Sequence, residues 1–169
     1  DGTSADLSYT AANTTLAVTW SGFSDAHSGI TSYKAAIEDV AGNSVVAWTD
    51  VGNVSTWTAT GLSLSSGTTY KGIIRAVDAA GNLSSNVSTN GITVDTDGPI
   101  IGYVIDGGTG DIDWSNITTA LSFSWDGFND PLSGLSYYEY AVGTTSGGTQ
   151  TISWTTASIV DSTVSKSSM

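Results

Sequence analysis

The chain has 169 residues, enough for one large or two small domains, with 51 Ser and Thr, 20 Gly and only 12% charged side chains. Fourteen Asp and two Glu stand against three Lys and one Arg, a net charge of −12 that would repel nucleic acid and anionic membrane surfaces. With no cysteine there is no disulfide framework and no thiolate metal site, and no apolar run approaches the roughly 18 residues of a membrane-spanning helix. No segment of ten residues carries a helical 3.6 period, while Thr and β-branched apolar residues are abundant, so an all-β chain is expected.

In chain order, a first short strand falls near LSYTA (7–11). TLAVTW (15–20) sets Leu16, Val18 and Trp20 on one face with small or polar residues between them, the mark of a half-buried strand. After the loop WSGFSDAHSGI (20–30), Tyr33, Ala35 and Ile37 share a face. SVVAWTDV (44–51), STWTATGL (55–62), YKGIIRAVD (70–78) and NGITVDT (90–96) complete seven short strands separated by turn residues. That spacing predicts a β-sandwich.

The pattern then repeats. Aligned at an offset of 105, residues 6–37 and 111–142 agree at 11 of 32 positions, among them Leu16/Leu121, Trp20/Trp125, Gly22/Gly127, Phe23/Phe128, Asp25/Asp130, Gly29/Gly134 and Tyr33/Tyr138. WSGFSDAHSGI returns as WDGFNDPLSGL (125–135), and one added residue brings Trp154 opposite Trp48. Self-similarity over a domain-sized period means modules in tandem. The expected domains are 1–96 and 97–169. Asp1 aligns with Asp106, so GPIIGYVI (98–105) has no counterpart in the first module, whose opening strand is expected to be truncated. The second module has no match to Tyr70–Asn82 or to the last strand and should not be stable alone. The chain is expected to be a segment of a longer protein.

Several of these stretches carry a family resemblance. TTLAVTW resembles the second strand of a fibronectin type III domain with its inward Trp. LSSGTTY (64–70) resembles the Leu and Tyr of that family's tyrosine corner, and YKGIIRAVDAAGN its sixth strand and following loop. With VDTDGP (94–99) as a junction, the whole resembles the fibronectin type III-like (Ig-like) repeats of large prokaryotic surface and adhesin-type proteins. The resemblance implies tandem antiparallel β-sandwiches, the second incomplete. It implies a structural or adhesive segment at the cell surface or outside the cell, serving as stalk or filament-building module. Its partners would be neighbouring repeats, other copies of itself, or cell-surface glycans and proteins. The alternatives are a glycan- or protein-recognition module and an accessory domain of a secreted enzyme.

Catalysis is not expected. The one histidine, His27, has Leu132 as its repeat partner. Glu38 and Glu139 lie in separate modules and cannot form a glycosidase pair. Neither a G-x-S-x-G elbow nor a phosphate loop occurs. Asp95 and Asp97 in the junction, with Asp126 and Asp130 in the second module's loop between strands two and three, form one candidate set for a hard cation such as Ca²⁺. Asp106, Asp111 and Asp113 form another. The competing role for these carboxylates, and for Asp25 and Asp78 in the first module, is to cap turns. Trp48, matching Trp154, and Trp114, matching Tyr9, are expected at packing positions used in both modules, with Trp48 and Trp154 the alternative candidates for a ligand face. Asn13, Asn53, Asn82, Asn86 and Asn116 stand in N-x-S/T sequons and would be surface sites if the source glycosylates.

Overall fold

A computed structural model describes residues 6–107 and 110–167. The chain divides into two compact units between Asp97 and Gly98. All regular structure among the described residues is β.

The first unit contains β1 (Tyr9–Thr10), β2 (Thr15–Thr19), β3 (Ile30–Asp39), β4 (Ser44–Gly52), β5 (Thr56–Thr60), β6 (Thr69–Asp78), β7 (Val87–Ser88) and β8 (Ile92–Val94). One sheet runs β1-β8-β6-β3-β4, with β7 also on β6, and the other is β2-β5. The eighth strand beyond the seven expected is β7. Its surroundings, SSNVS, are polar and carry no alternation, so only pairing with Ile73 and Ile74 defines it.

Alternation fixes which side chains meet. Leu16 and Val18 of β2 and Ala59 of β5 face Ala35 and Ile37 of β3, Ile74 of β6, and Ile92 and Val94 of β8 in one buried cluster. Gly72 lies where β6 crosses Val18, and a Cβ there would run into both Val18 methyls. Closing that corner, the backbone N–H of Ser65 donates to Tyr70 Oη at 2.9 Å, with Leu64 and Tyr70 both buried. This is the tyrosine corner that LSSGTTY foreshadows.

The second unit contains β9 (Tyr103–Asp106), β10 (Ala120–Asp126), β11 (Tyr137–Val142), β12 (Ile152–Ser158) and β13 (Thr163–Ser167). Its sheets are β13-β10-β9 and β11-β12. Most of its pairings in β10–β13 and β11–β12 copy those of the first unit. Lys34↔Asp50 and Ile37↔Val46 become Glu139↔Thr156 and Val142↔Ile152, each with a bulge between the two pairs. Val18↔Trp57 becomes Phe123↔Val164. The aromatic packing repeats too. Trp20 and Tyr33 rings lie 5.4 Å apart at 58°, and Trp125 and Tyr138 5.4 Å apart at 59°. Phe23 and Phe128 meet the same tyrosines edge-on. What differs is depth. The buried cluster of the second unit is Phe123, Trp125 and Ala157, because no described strand occupies the places of β6 and β8.

The turns are built by aspartates. Asp25 Oδ1 accepts the backbone N–H groups of Ser28, Gly29 and His27 at 2.7, 3.0 and 3.0 Å. Asp130 Oδ1 repeats this with Ser133, Leu132 and Gly134 at 2.8, 2.9 and 3.2 Å. The duplicated phrase is therefore one carboxylate-capped loop written twice. A second pair lies within the first unit. DVAGN (39–43) and DAAGN (78–82) form matching turns in which Asn43 and Asn82 amides donate to the Asp39 and Asp78 carboxylates at 2.7 and 2.8 Å. Gly42 and Gly81 take φ of 87° and 85°, a left-handed turn position that suits glycine.

These hydrogen bonds favour the ionised form. Backbone N–H groups, led by Ser28 and Ser133, hold the Asp25 and Asp130 carboxyls below the ordinary aspartate value of 3.8. The side-chain amides of Asn43 and Asn82 do the same for Asp39 and Asp78. A carboxyl with a lowered folded-state pKa contributes stability that is present above its unfolded value and lost as pH falls through the folded one. The melting temperature should therefore hold steady through neutral pH and fall below about pH 4. Asp78→Asn should melt lower at neutral pH and lose part of that acid dependence. Circular dichroism melts at stepped pH measure both, and an unaltered acid profile would contradict the assignment. Tyr70→Phe should destabilise the first unit by about 1–3 kcal/mol, since it strands the Ser65 N–H; urea titration of the variant reads that loss.

Candidate functional site

The candidate residues are placed by the turns and edges of the two units. In the first unit, β8 ends at Val94 and the chain passes directly into Asp95, whose N–H donates to Thr10 O at 2.8 Å. That bond draws Asp95 inward, to 8% exposure. Its Oδ1 accepts the Asp97 N–H at 3.2 Å, while its Oδ2 is buried without a hydrogen-bond partner. Asp97 Oδ2 accepts the Ser66 hydroxyl at 3.0 Å, and the same hydroxyl oxygen accepts the Thr96 N–H. Asp95, Asp97 and Ser66 thus make one polar knot beside the tyrosine corner.

In the second unit, Ile100 and Asn129 exchange backbone hydrogen bonds, which lays the start of the unit along the loop carrying Asp126 and Asp130. Asp130 is 9% exposed, and its Oδ1 is committed to the three N–H groups of its own loop. Asp126 Oδ1 accepts the Gly127 N–H, and its Oδ2 lies 3.5 Å from Tyr103 Oη. Asp111 Oδ1 accepts the Asp106 N–H at 3.3 Å. Asp106, Asp111 and Asp113 are all exposed. Asp1, the repeat partner of Asp106, lies outside the described residues. Among the described residues, no three of His, Cys, Asp and Glu gather in a group that could hold a metal ion.

The two candidate tryptophans have opposite environments. Trp48 on β4 is covered by Arg75 of β6, whose guanidinium carbon sits 4.2 Å from the ring centroid. Trp154, at the same place on β12, is 64% exposed and so does not pack as expected, because no described strand of the second unit brings a side chain over it as β6 brings Arg75 over Trp48. Trp114 is not a packing residue. It is 92% exposed, whereas Tyr9 lies on β1 and pairs with Thr93 of β8. The second unit has no described strand at the β8 position for Trp114 to meet. All five sequon asparagines are exposed. Asn82 already uses its side-chain amide on Asp78, and Asn53 donates to Ile30 O at 3.3 Å.

Reading the sequence for sites missed Asp39 and Asn43. The signal was present, since DVAGN differs from DAAGN at one position. It also missed the groove of the second unit. This opening of ≈ 730 Å³ is lined by Phe123, Trp125, Tyr138, Tyr140, Val142 and Trp154 among others.

No family model matches the chain. Over 132 residues it is 33% identical to Chitinase D of Niallia circulans, a match that takes in 72% of this chain and 23% of the chitinase. The chain therefore spans about a quarter of the length of that curated relative. Among solved structures it is similar to the chicken CNTN1 FN1–FN3 domains, at 15% identity and a TM-score of 0.44, over 98% of this chain and 55% of that one. Strand order, the Leu64–Tyr70 corner and two register-matched copies make this an all-β chain of fibronectin type III-like sandwich units.

Proposed function

We propose that the chain is a non-catalytic spacer within an extracellular carbohydrate-processing enzyme. The observation that carries this reading is the match to 23% of Chitinase D. A segment of that share, duplicated within itself and built from side chains committed to their own turns, suits a spacer between working domains. Each module has its own sheets, so a mechanical or thermal failure in one stays local. The tandem duplication also favours a second reading, a stalk of a surface protein, which works by the same mechanics.

The chain should neither release reducing sugar from chitin nor be depleted from solution by chitin beads. Placed between a chitin-hydrolysing domain and a chitin-binding domain, it should speed attack on insoluble chitin over a direct fusion. Turnover of soluble oligomers should stay unchanged. Depletion by the beads that Trp154→Ala abolishes would replace the spacer with a recognition module.

A cation belongs to this reading as a stiffener at Asp95 and Asp97. Support comes from the buried, unpartnered Asp95 Oδ2 beside a second carboxylate and the Ser66 hydroxyl. Two carboxylates leave most of the six to eight oxygens that Ca²⁺ takes to carbonyls and water. Millimolar Ca²⁺ should raise the melting temperature of the 169-residue chain, and Asp95→Asn should remove that rise. Calorimetry showing no heat and no shift would end the idea.

A further inference from the structure

A dipeptide of Asp or Asn followed by Gly carries a latent reaction, because glycine has no side chain to hold its nitrogen away from the carboxyl or amide carbon before it. The chain has five, at Asp1, Asn90, Asp97, Asp106 and Asp126. Asp1 and Gly2 lie outside the described residues. Structure separates the other four. At Asp106 the Gly107 N–H is committed to Ser122 O at 2.8 Å. At Asp97 the side chain is turned to another loop, with Oδ2 accepting the Ser66 hydroxyl at 3.0 Å. At Asn90 the side-chain amide donates to Asp6 Oδ2 at 3.0 Å. At Asp126 the two reacting groups meet, with the Gly127 N–H on Asp126 Oδ1 at 2.7 Å. Cγ stands one bond behind that oxygen, so nitrogen and carbon lie near the roughly 3–3.5 Å of a near-attack pair. Both residues are exposed, so water can reach the site.

The surrounding chain has no slack for an altered backbone. Asp126↔Tyr103 is the end pair of the β9–β10 ladder. Gly102 is pressed so closely on this turn that a Cβ there would run into the Asp126 carbonyl oxygen and the Phe128 nitrogen. Beyond it, Ile100 and Asn129 exchange backbone hydrogen bonds. An extra main-chain atom between Asp126 and Gly127 would push the loop off Gly102 and break both the end pair and the Ile100–Asn129 bonds.

We propose that Asp126–Gly127 is a self-modification site, at which the folded chain slowly converts Asp126 to isoaspartate and so releases the opening strand of the second unit. The Gly127 nitrogen bonds to Cγ of the protonated carboxyl and gives up its proton, and the Cγ hydroxyl leaves with that proton as water. The resulting five-membered succinimide is lighter by one water. Water then adds back. Cleavage between Gly127 N and Cγ restores aspartate, while cleavage between Gly127 N and the Asp126 main-chain carbonyl carbon gives isoaspartate, whose main chain runs through Cγ. No oxidant or reductant takes part, and the final mass equals the starting one. The product carries a free α-carboxylate, which a methyltransferase specific for isoaspartate esterifies from S-adenosylmethionine. This inference goes beyond the spacer reading and does not depend on it.

The test ages the whole 169-residue chain in neutral buffer, folded or in urea. Isoaspartate is measured by enzymatic methyl transfer and located by fragmentation mass spectrometry of the digested chain. In the folded chain it should build up at Asp126 about tenfold faster than at Asp97 or Asp106, and in urea the three rates should converge. Asp126→Asn, which releases ammonia in place of water, should convert faster still. Asp126→Glu would need a six-membered ring and should hold the signal at this position at background. Amide-exchange protection of the β11–β12 ladder checks that the unit is folded in each variant. Aged chain should lose exchange protection at Ile100 and along β9 while that ladder keeps its own. No isoaspartate at Asp126 in the folded chain, equal accumulation at Asp97 or Asp106, or a preference for Asp126 that persists unchanged in urea overturns the proposal. So does modified chain that keeps full protection at Ile100.

Discussion

The antiparallel ladder between β3 and β6 is what the first unit depends on. It runs from Ile30↔Asp78 to Asp39↔Tyr70 and sets Ala35 and Ile74 side by side beneath the opposing sheet. Everything else in that unit hangs on this register. The ladder delivers Tyr70 to the Ser65 N–H, leads Gly72 past Val18 and carries Arg75 over Trp48. The second unit lacks a strand in this place among its described residues, and the consequence is local rather than global. Its remaining pairings keep their register, and its aromatic trio keeps its geometry. A sandwich core is a sum of facing pairs, so removing one strand uncovers the residues it faced and leaves the others in contact.

A chain with fourteen aspartates invites a search for cations, yet much of that charge has a mundane physical use. Backbone N–H groups at tight turns have no ladder partner, and a short carboxylate can reach two or three of them at once. Asp25, Asp39, Asp78 and Asp130 all do so. Asp95 differs, because its Oδ2 is itself buried from solvent and has no hydrogen-bond partner. Burial with an unanswered oxygen separates a candidate ligand from a turn-former far better than acidic density does.

Much of the fold could be read from residue order. Alternation in TLAVTW marked β2, the offset of 105 carried it to β10, and the duplicated loop marked the module. The strands that escaped or shrank were those held by pairing alone. β7 has no apolar period, and the NGITVDT stretch keeps only Ile92–Val94 in the sheet before the chain turns toward Asp95. The candidate site was less legible. Trp48 and Trp154 are the same letter at matched positions. What divides them is a guanidinium arriving from a strand far along the chain, a tertiary fact with no local signature. Trp114 was misplaced for the same reason, since no strand among the second unit's described residues takes the place that β8 has beside Tyr9.

The two copies also differ in length between strands. One residue is added between Val142 and Ile152 relative to Ile37 and Val46, and one more between Thr156 and Thr163 relative to Asp50 and Thr56. The pairs on either side of each addition keep their partners, while Tyr138 pairs with Ala157 where Tyr33 pairs with Gly52. The strand ends bridged by 143–151, between β11 and β12, and by 159–162, between β12 and β13, therefore absorb changes in length while those pairs hold. Foreign peptide loops grafted at these two ends would be displayed on a framework indifferent to their size.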